Sequence, residues 1–240
     1  MHTTEMTTLA ARLGAALHPV APPIGIGFAA TAPQGVEAFD APMPPPAPDG
    51  RTGRVPAGCV FWMQASERTF TTAPEDHGNC SVGSLTHGLI GLDEAAGRAD
   101  VAALVESGWV TGDLLPAIPT ISERPGAITY GPLAEGLFEP DVVLLRLSAR
   151  ALMVLSDAWP GLRIEGKPQC HIVAAAKEEE EVVASVGCML SRTRTGMGPG
   201  ETTCAIPLRR LEEVVEALER TAEADGAVAR YAAEDARRFS

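Results

Sequence analysis

The feature that most constrains this chain is that two parts of it can be laid over one another. With Cys59 placed on Cys170, "GCVFWMQA" lies over "QCHIVAAA" and Ala65 falls on Ala176. With Cys80 placed on Cys188, "CSVGSLTHG" lies over "CMLSRTRTG" and Gly88 falls on Gly196. The intervals differ slightly, with 20 residues inside the first cysteine pair and 17 inside the second. An apolar run precedes each pair, "IGIGFAA" in one half and "VVLLRL" in the other. A repeat of this kind implies a strand–helix–strand unit that buries its apolar face against its own copy, about a pseudo-two-fold axis. Ala and Gly are abundant here, so matches this sparse also arise by chance.

The local signals are consistent with that frame. Met6, Leu9, Leu13 and Leu17 recur at helical spacing and predict a short amphipathic helix. Residues 24–30 read as a buried strand, and the Pro-rich stretch from Pro33 to Pro56 as surface loop. A short helix is expected over 57–66, a strand over 68–72 and a helix over 93–108 with Asp93 as its cap. Residues 110–140 carry many Pro and Gly without a steady period and read as loop with short elements. "DVVLLRL" (141–147) predicts a strand, Ser148 a cap for the helix after it, "CHIVAAAK" a helix and "EVVASVGC" a strand entering Cys188. The acidic run Glu178–Glu181 reads as a solvated helix end or turn. "IPLRRLEEVVEALER" predicts an amphipathic helix with Pro207 near its start, and "VARYAAEDARRF" a last separate one. The expected class is therefore α/β or α+β. We expect a single domain over 1–240 built of two similar halves, about 20–110 and 138–220, with helical extensions at both ends.

Charge narrows the partners. The formal net charge of −12 opposes binding to a nucleic-acid backbone or an anionic membrane surface, and no Lys/Arg cluster offsets it. Arg12 and His18 interrupt the N-terminal run, which does not read as a secretory signal, and no apolar span reaches membrane length. A cytoplasmic location is the expectation. Thiols there tend to be reduced, metal-bound or catalytic rather than paired as structural disulfides.

Four thiolates, Cys59, Cys80, Cys170 and Cys188, brought together by the two halves are a ligand set for an iron–sulfur cluster or structural zinc. The sequence holds no C-x-x-C, so neither a zinc ribbon nor the bacterial ferredoxin run is present. Gly83 and Gly187 would let backbone N–H groups approach the sulfurs. His77, His87 and His171 lie close in sequence to these cysteines, and mixed Cys/His ligation suits zinc, iron or haem. Asp76 and Glu75 are candidate orienting acceptors for His77. Arg192 is a candidate contact for an anionic ligand. A His beside a Cys can instead activate the thiol as a nucleophile. "GMGPGETT" (196–203) is Gly-rich but lacks the lysine of a phosphate cradle and reads as a tight turn.

The spaced elements "AGC…A", "NCSVG", "PQC" and "SVGCMLSR", followed by "AIP" and the last amphipathic helix, resemble the family grouped as domain of unknown function number 169, from about residue 20 to about 220. The resemblance implies that Cys59, Cys80, Cys170 and Cys188 belong to a family pattern and that Cys204 is an extra. The family shows a second glycine soon after the cysteine matching Cys188, where this chain has "CMLSR".

Three functions follow as expectations. The first is a metal- or cluster-binding protein with a four-Cys centre between its halves, used for redox or small-molecule chemistry with a small ligand or redox partner. The second is a metal-free enzyme with Cys80 or Cys188 as nucleophile and His77 or His87 as base. The third is a non-catalytic module that binds a small ligand or haem.

Overall fold

The computed structural model describes residues 3–239. Its elements run α1 (Thr3–Leu17), β1 (Ile24–Ala29), α2 (Cys59–Gln64), β2 (Phe70–Thr72), α3 (Ser81–Thr86), α4 (Leu92–Ala96), α5 (Ala99–Glu106), β3 (Ala127–Pro132), β4 (Val142–Ser148), α6 (Ala149–Ala158), β5 (Arg163–Glu165), α7 (His171–Glu178), β6 (Val183–Ser185), α8 (Met189–Thr195), β7 (Glu201–Pro207) and α9 (Leu211–Ala236). One seven-stranded sheet carries the fold, in the order β2-β3-β1-β4-β7-β6-β5. Every pairing is antiparallel except that of the edge strand β5 with β6. The architecture is a mixed α/β one, with helices on both faces of the sheet.

Burial on both faces explains the apolar run over residues 142–145 that opens β4. Val142 and Leu144 point into a core with Phe61 and Trp62 of α2 and Ile172 and Val173 of α7. Val143, Leu145 and Leu147 point the other way, against Leu13 of α1, Leu155 of α6 and Val214 and Leu218 of α9. The period-2 geometry of a strand thus divides one sequence run between two cores.

The register has a regular form. Ile24 of β1 lies opposite Pro132, and Val142 of β4 lies opposite Pro207. The amide of Leu133 then donates to Pro23 O at 2.8 Å, and that of Leu208 to Asp141 O at 3.0 Å. Where β1 meets β4, Ile24 pairs with Leu144, Gly25 with Val143 and Ile26 with Val142. Helices α3 and α8 follow Cys80 and Cys188, and Gly88 and Gly196 at their C-termini both take left-handed backbone, φ 69 and 72.

The structure agrees with the expected strands at 24–30, 68–72 and 141–147, and with the Ser148 cap, whose hydroxyl accepts from the Ala151 amide at 3.2 Å. Four expectations are corrected. Residues 110–140 contain β3, an inner strand. Its glycine and proline hid it from local pattern, and pairing with β1 and β2 on both sides makes it a strand. The helix over 93–108 is two helices that break at Gly97–Arg98, and Gly91 rather than Asp93 occupies the first N-cap. Pro207 ends β7 instead of starting the last helix, which begins at Leu211. That helix runs on unbroken through Gly226 and absorbs the separate one expected after it. A glycine in an exposed helix costs only about 1 kcal/mol relative to alanine. Among the described residues, no helix is long and apolar enough to cross a membrane.

Candidate functional site

Cys59, Cys80, Cys170 and Cys188 come from four separate turns and line one pocket. Cys59 is the first residue of α2, and the other three are the N-cap residues of α3, α7 and α8. Helices α2 and α8 pack together, as do α3 and α7. Cys80 and Cys188 hold extended backbone, which aims each side chain back over the first turn of its helix. The Cys188 sulfur accepts from the Ser191 amide at 3.4 Å.

The Pro-rich loop has a structural task here: it holds the turn that carries Cys80. Asn79 Nδ2 donates to Gly53 O at 2.6 Å and to Val55 O at 3.1 Å. Arg51 donates to Asn79 O at 2.6 Å, and Arg54 pairs with Asp76 at 2.8 Å. The two segments approach so closely that a Cβ on Gly78 would overlap the carbonyl oxygen of Thr52. Gly78→Ala is therefore expected to cost about 2 kcal/mol or more in urea unfolding, because neither backbone can yield without breaking these bonds. In the second half Gly187, at φ 90, turns the chain into Cys188 where a side chain would press on Gln169 and Arg192.

The thiols are electrostatically coupled. Burial pushes Cys59 up to about 11; the Ser191 hydroxyl opposes this, Cys80 and Cys188 add to it, and Arg194 opposes it. Burial also holds Cys170 well above the usual thiol range, reinforced by Cys80 and opposed by the Thr86 hydroxyl. Both groups therefore stay protonated at neutral pH unless a cation offsets the charge. Among the described residues, no three His, Cys, Asp or Glu side chains are gathered so as to hold a single metal ion.

The histidines divide. His87 lines the pocket and is buried. Its Nδ1 lies 2.9 Å from the Gly83 carbonyl, which only accepts, so the proton sits there and Nε2 keeps a free lone pair without a hydrogen-bond partner. Burial lowers its pKa to about 4. His77 sits behind it, with ring centroids 5.9 Å apart, outside the pocket lining. Thr72 orients it through a 2.9 Å contact to Nε2; Asp76 is engaged with the Ala73 amide and Arg54 instead. His171 faces Glu165 at 4.0 Å, away from the pocket, as adjacent residues on a helix diverge. No thiol–imidazole hydrogen bond forms among the described residues. Arg192 is occupied by three backbone carbonyls, those of Gly198, Val186 and Glu201, at 2.5–2.8 Å, and fixes the "GMGPG" turn. Arg194, two residues on, lines the pocket instead. Local sequence does not separate them; their helical phase on α8 does.

Trp109 and Gln169 are pocket residues that sequence reasoning missed. Trp109 arrives from the segment between α5 and β3, tied to α3 where Asp100 accepts from the Ser81 amide at 3.1 Å and hydroxyl at 2.7 Å. Gln169 was legible only as the residue before Cys170. Cys204 lies fully buried in β7, in the core on the opposite face of the sheet.

A family model, domain of unknown function 169 (DUF169), described as "Uncharacterised ArCR", matches residues 12–217. The chain belongs to this family. No curated protein and no solved structure matches it. The DUF169 match covers all four pocket cysteines and stops inside α9 near Leu218, the last buried residue of that helix.

Proposed function

We propose that this DUF169 protein binds a polynuclear iron–sulfur cluster through Cys59, Cys80, Cys170 and Cys188, between two halves that descend from one duplicated unit. The observation that carries the reading is that four thiols from four turns, two from each half, line a single pocket.

The lining supports the duplication. Residues 57–59 on one side have residues 168–170 as their counterparts in the cysteine alignment. Cys80, Val82 and Gly83 likewise match Cys188, Leu190 and Ser191. A dyad through the Gly25–Val143 pair exchanges Ile24–Leu144 with Val142–Ile26, β3 with β7, and β2 with β6. The same operation exchanges the α2–α8 contact with the α7–α3 contact.

The geometry favours a cluster over the other groups. Four sulfurs around one zinc stand about 3.8 Å apart, from a Zn–S distance of about 2.3 Å. Among the described residues no three such side chains are gathered in that way. Clusters of two or four irons spread four thiolates over more than one metal, so the sulfurs stand farther apart. The free interior is about 30 Å³, room for two waters or so, so a group of either kind enters only as the four turns move apart, and a haem demands far more of that movement than a cluster. A cationic inorganic core would also offset the burial, and the neighbouring thiols, that keep Cys59 and Cys170 protonated. When bound, such a group supplies electron transfer or Lewis-acid chemistry. The protein's part is to exclude water with Val82 and Leu190 and to place the Ser191 and Thr86 hydroxyls near Cys59 and Cys170.

Anaerobic purification followed by iron and sulfide analysis and an absorption spectrum tests this. Brown protein with iron and acid-labile sulfide in equal amounts is expected. Colourless protein that takes up neither on anaerobic reconstitution would overturn it.

A further inference from the structure

Twelve of the fifteen pocket residues pair between the halves, and three do not: His87, Trp109 and Arg194. The position matching Arg194 is Thr86, and that matching His87 is Thr195. Trp109 belongs to a stretch between α3 and β3 whose counterpart, between Gly196 and β7, is only residues 197–200. A symmetric group has no use for these three, so they mark the side on which the pocket does something directional.

Arg194 is half-buried and, among the described residues, has neither an acidic partner nor a hydrogen bond, in a chain with 31 acidic residues against 19 Lys and Arg. Its neighbour Arg192 is saturated. On the Trp109 ring sits a second cation, Lys167, with Nζ 4.8 Å from the ring centroid and no salt bridge among the described residues. Two cations without acidic partners thus belong to this pocket's surroundings, the half-buried Arg194 in its lining and the exposed Lys167 on its half-buried indole.

We propose that this pocket binds a small carboxylate-class anion, with its two oxygens on the Arg194 guanidinium and its plane against Trp109. The planar fork of arginine matches a carboxylate in two parallel hydrogen bonds, and an aromatic face suits a flat anion backed by a cation. The interior of about 30 Å³ is of the size of a small anion such as formate. This deepens the cluster reading by naming a ligand for the same pocket, yet the anion contacts stand on Arg194 and Trp109 alone.

Intrinsic fluorescence titrated with formate at pH 7, with chloride holding ionic strength constant, tests the site with or without metal. A saturable change is expected in the wild-type protein, absent in Trp109→Phe, at least about tenfold weaker in Arg194→Gln and intermediate in Arg194→Lys, as fits a charge-assisted pair. Unchanged circular dichroism would show that the variants fold. No saturable response, an equal response in Arg194→Gln, or tighter binding of phosphate than of formate would overturn the proposal. Loss of iron binding with an intact formate response would overturn the cluster reading alone and leave the anion site standing.

Discussion

Replacing Cys80 by serine is expected to abolish iron retention while the protein remains folded. Cys80 is a half-buried N-cap residue, and serine is a favourable N-cap in its own right, so α3 keeps its start. A hydroxyl is a poor ligand for iron–sulfur clusters, which are held by thiolates. Iron content should fall by about an order of magnitude or more relative to wild type, the scale on which losing a group beside a metal already acts. Cys204→Ala is the control. Cys204 packs on the opposite face of the sheet, so iron content should be unchanged while unfolding stability drops by about 1 kcal/mol for the lost buried group. Equal iron in Cys80→Ser and wild type would remove Cys80 from the ligand set.

Metal-free protein should lose about 3 kcal/mol of stability as pH falls from 6.5 to 4, through His87 alone. In the unfolded chain the imidazole takes up its proton near 6.5, whereas burial delays this to about 4 in the folded state. Between those values the unfolded state holds the proton and the folded state does not, so acid favours unfolding. The contribution is present in full above 6.5. His77 adds in the same direction, since burial and then His87 hold its pKa well below the usual histidine range. Urea midpoints measured across this range should fall steeply for wild type. The slope should be shallower in His87→Gln, which has no proton to take up. An identical pH profile in the two proteins would show that His87 is not held neutral by the fold.

Legibility of the site tracked the physics of each residue. The four cysteines were legible as candidates because the sequence around them can be laid over itself, a comparison that needs no knowledge of the turns between. His87 and Arg192 looked equivalent as candidates, yet only His87 lines the pocket. Two residues along α8 rotate a side chain by about 200°, which exchanges Arg192 for Arg194. Trp109 carried no local signal at all, because its segment crosses the pocket only after α4 and α5 dock on α3.

What the sequence by itself determined is the set of elements whose apolar period is strong, β1, β4 and the start of α9, together with membership of DUF169. Those depend on contacts between near neighbours or on repetition, both of which survive in one dimension. Only the tertiary structure decided that "AITYGP" is an inner strand, that β4 serves two cores, and that the Pro-rich loop braces the Cys80 turn. It also decided which arginine and which histidine reach the thiols. Those outcomes depend on hydrogen bonds and packing between residues far apart in the chain, where local propensity is outweighed by the partner each group finds.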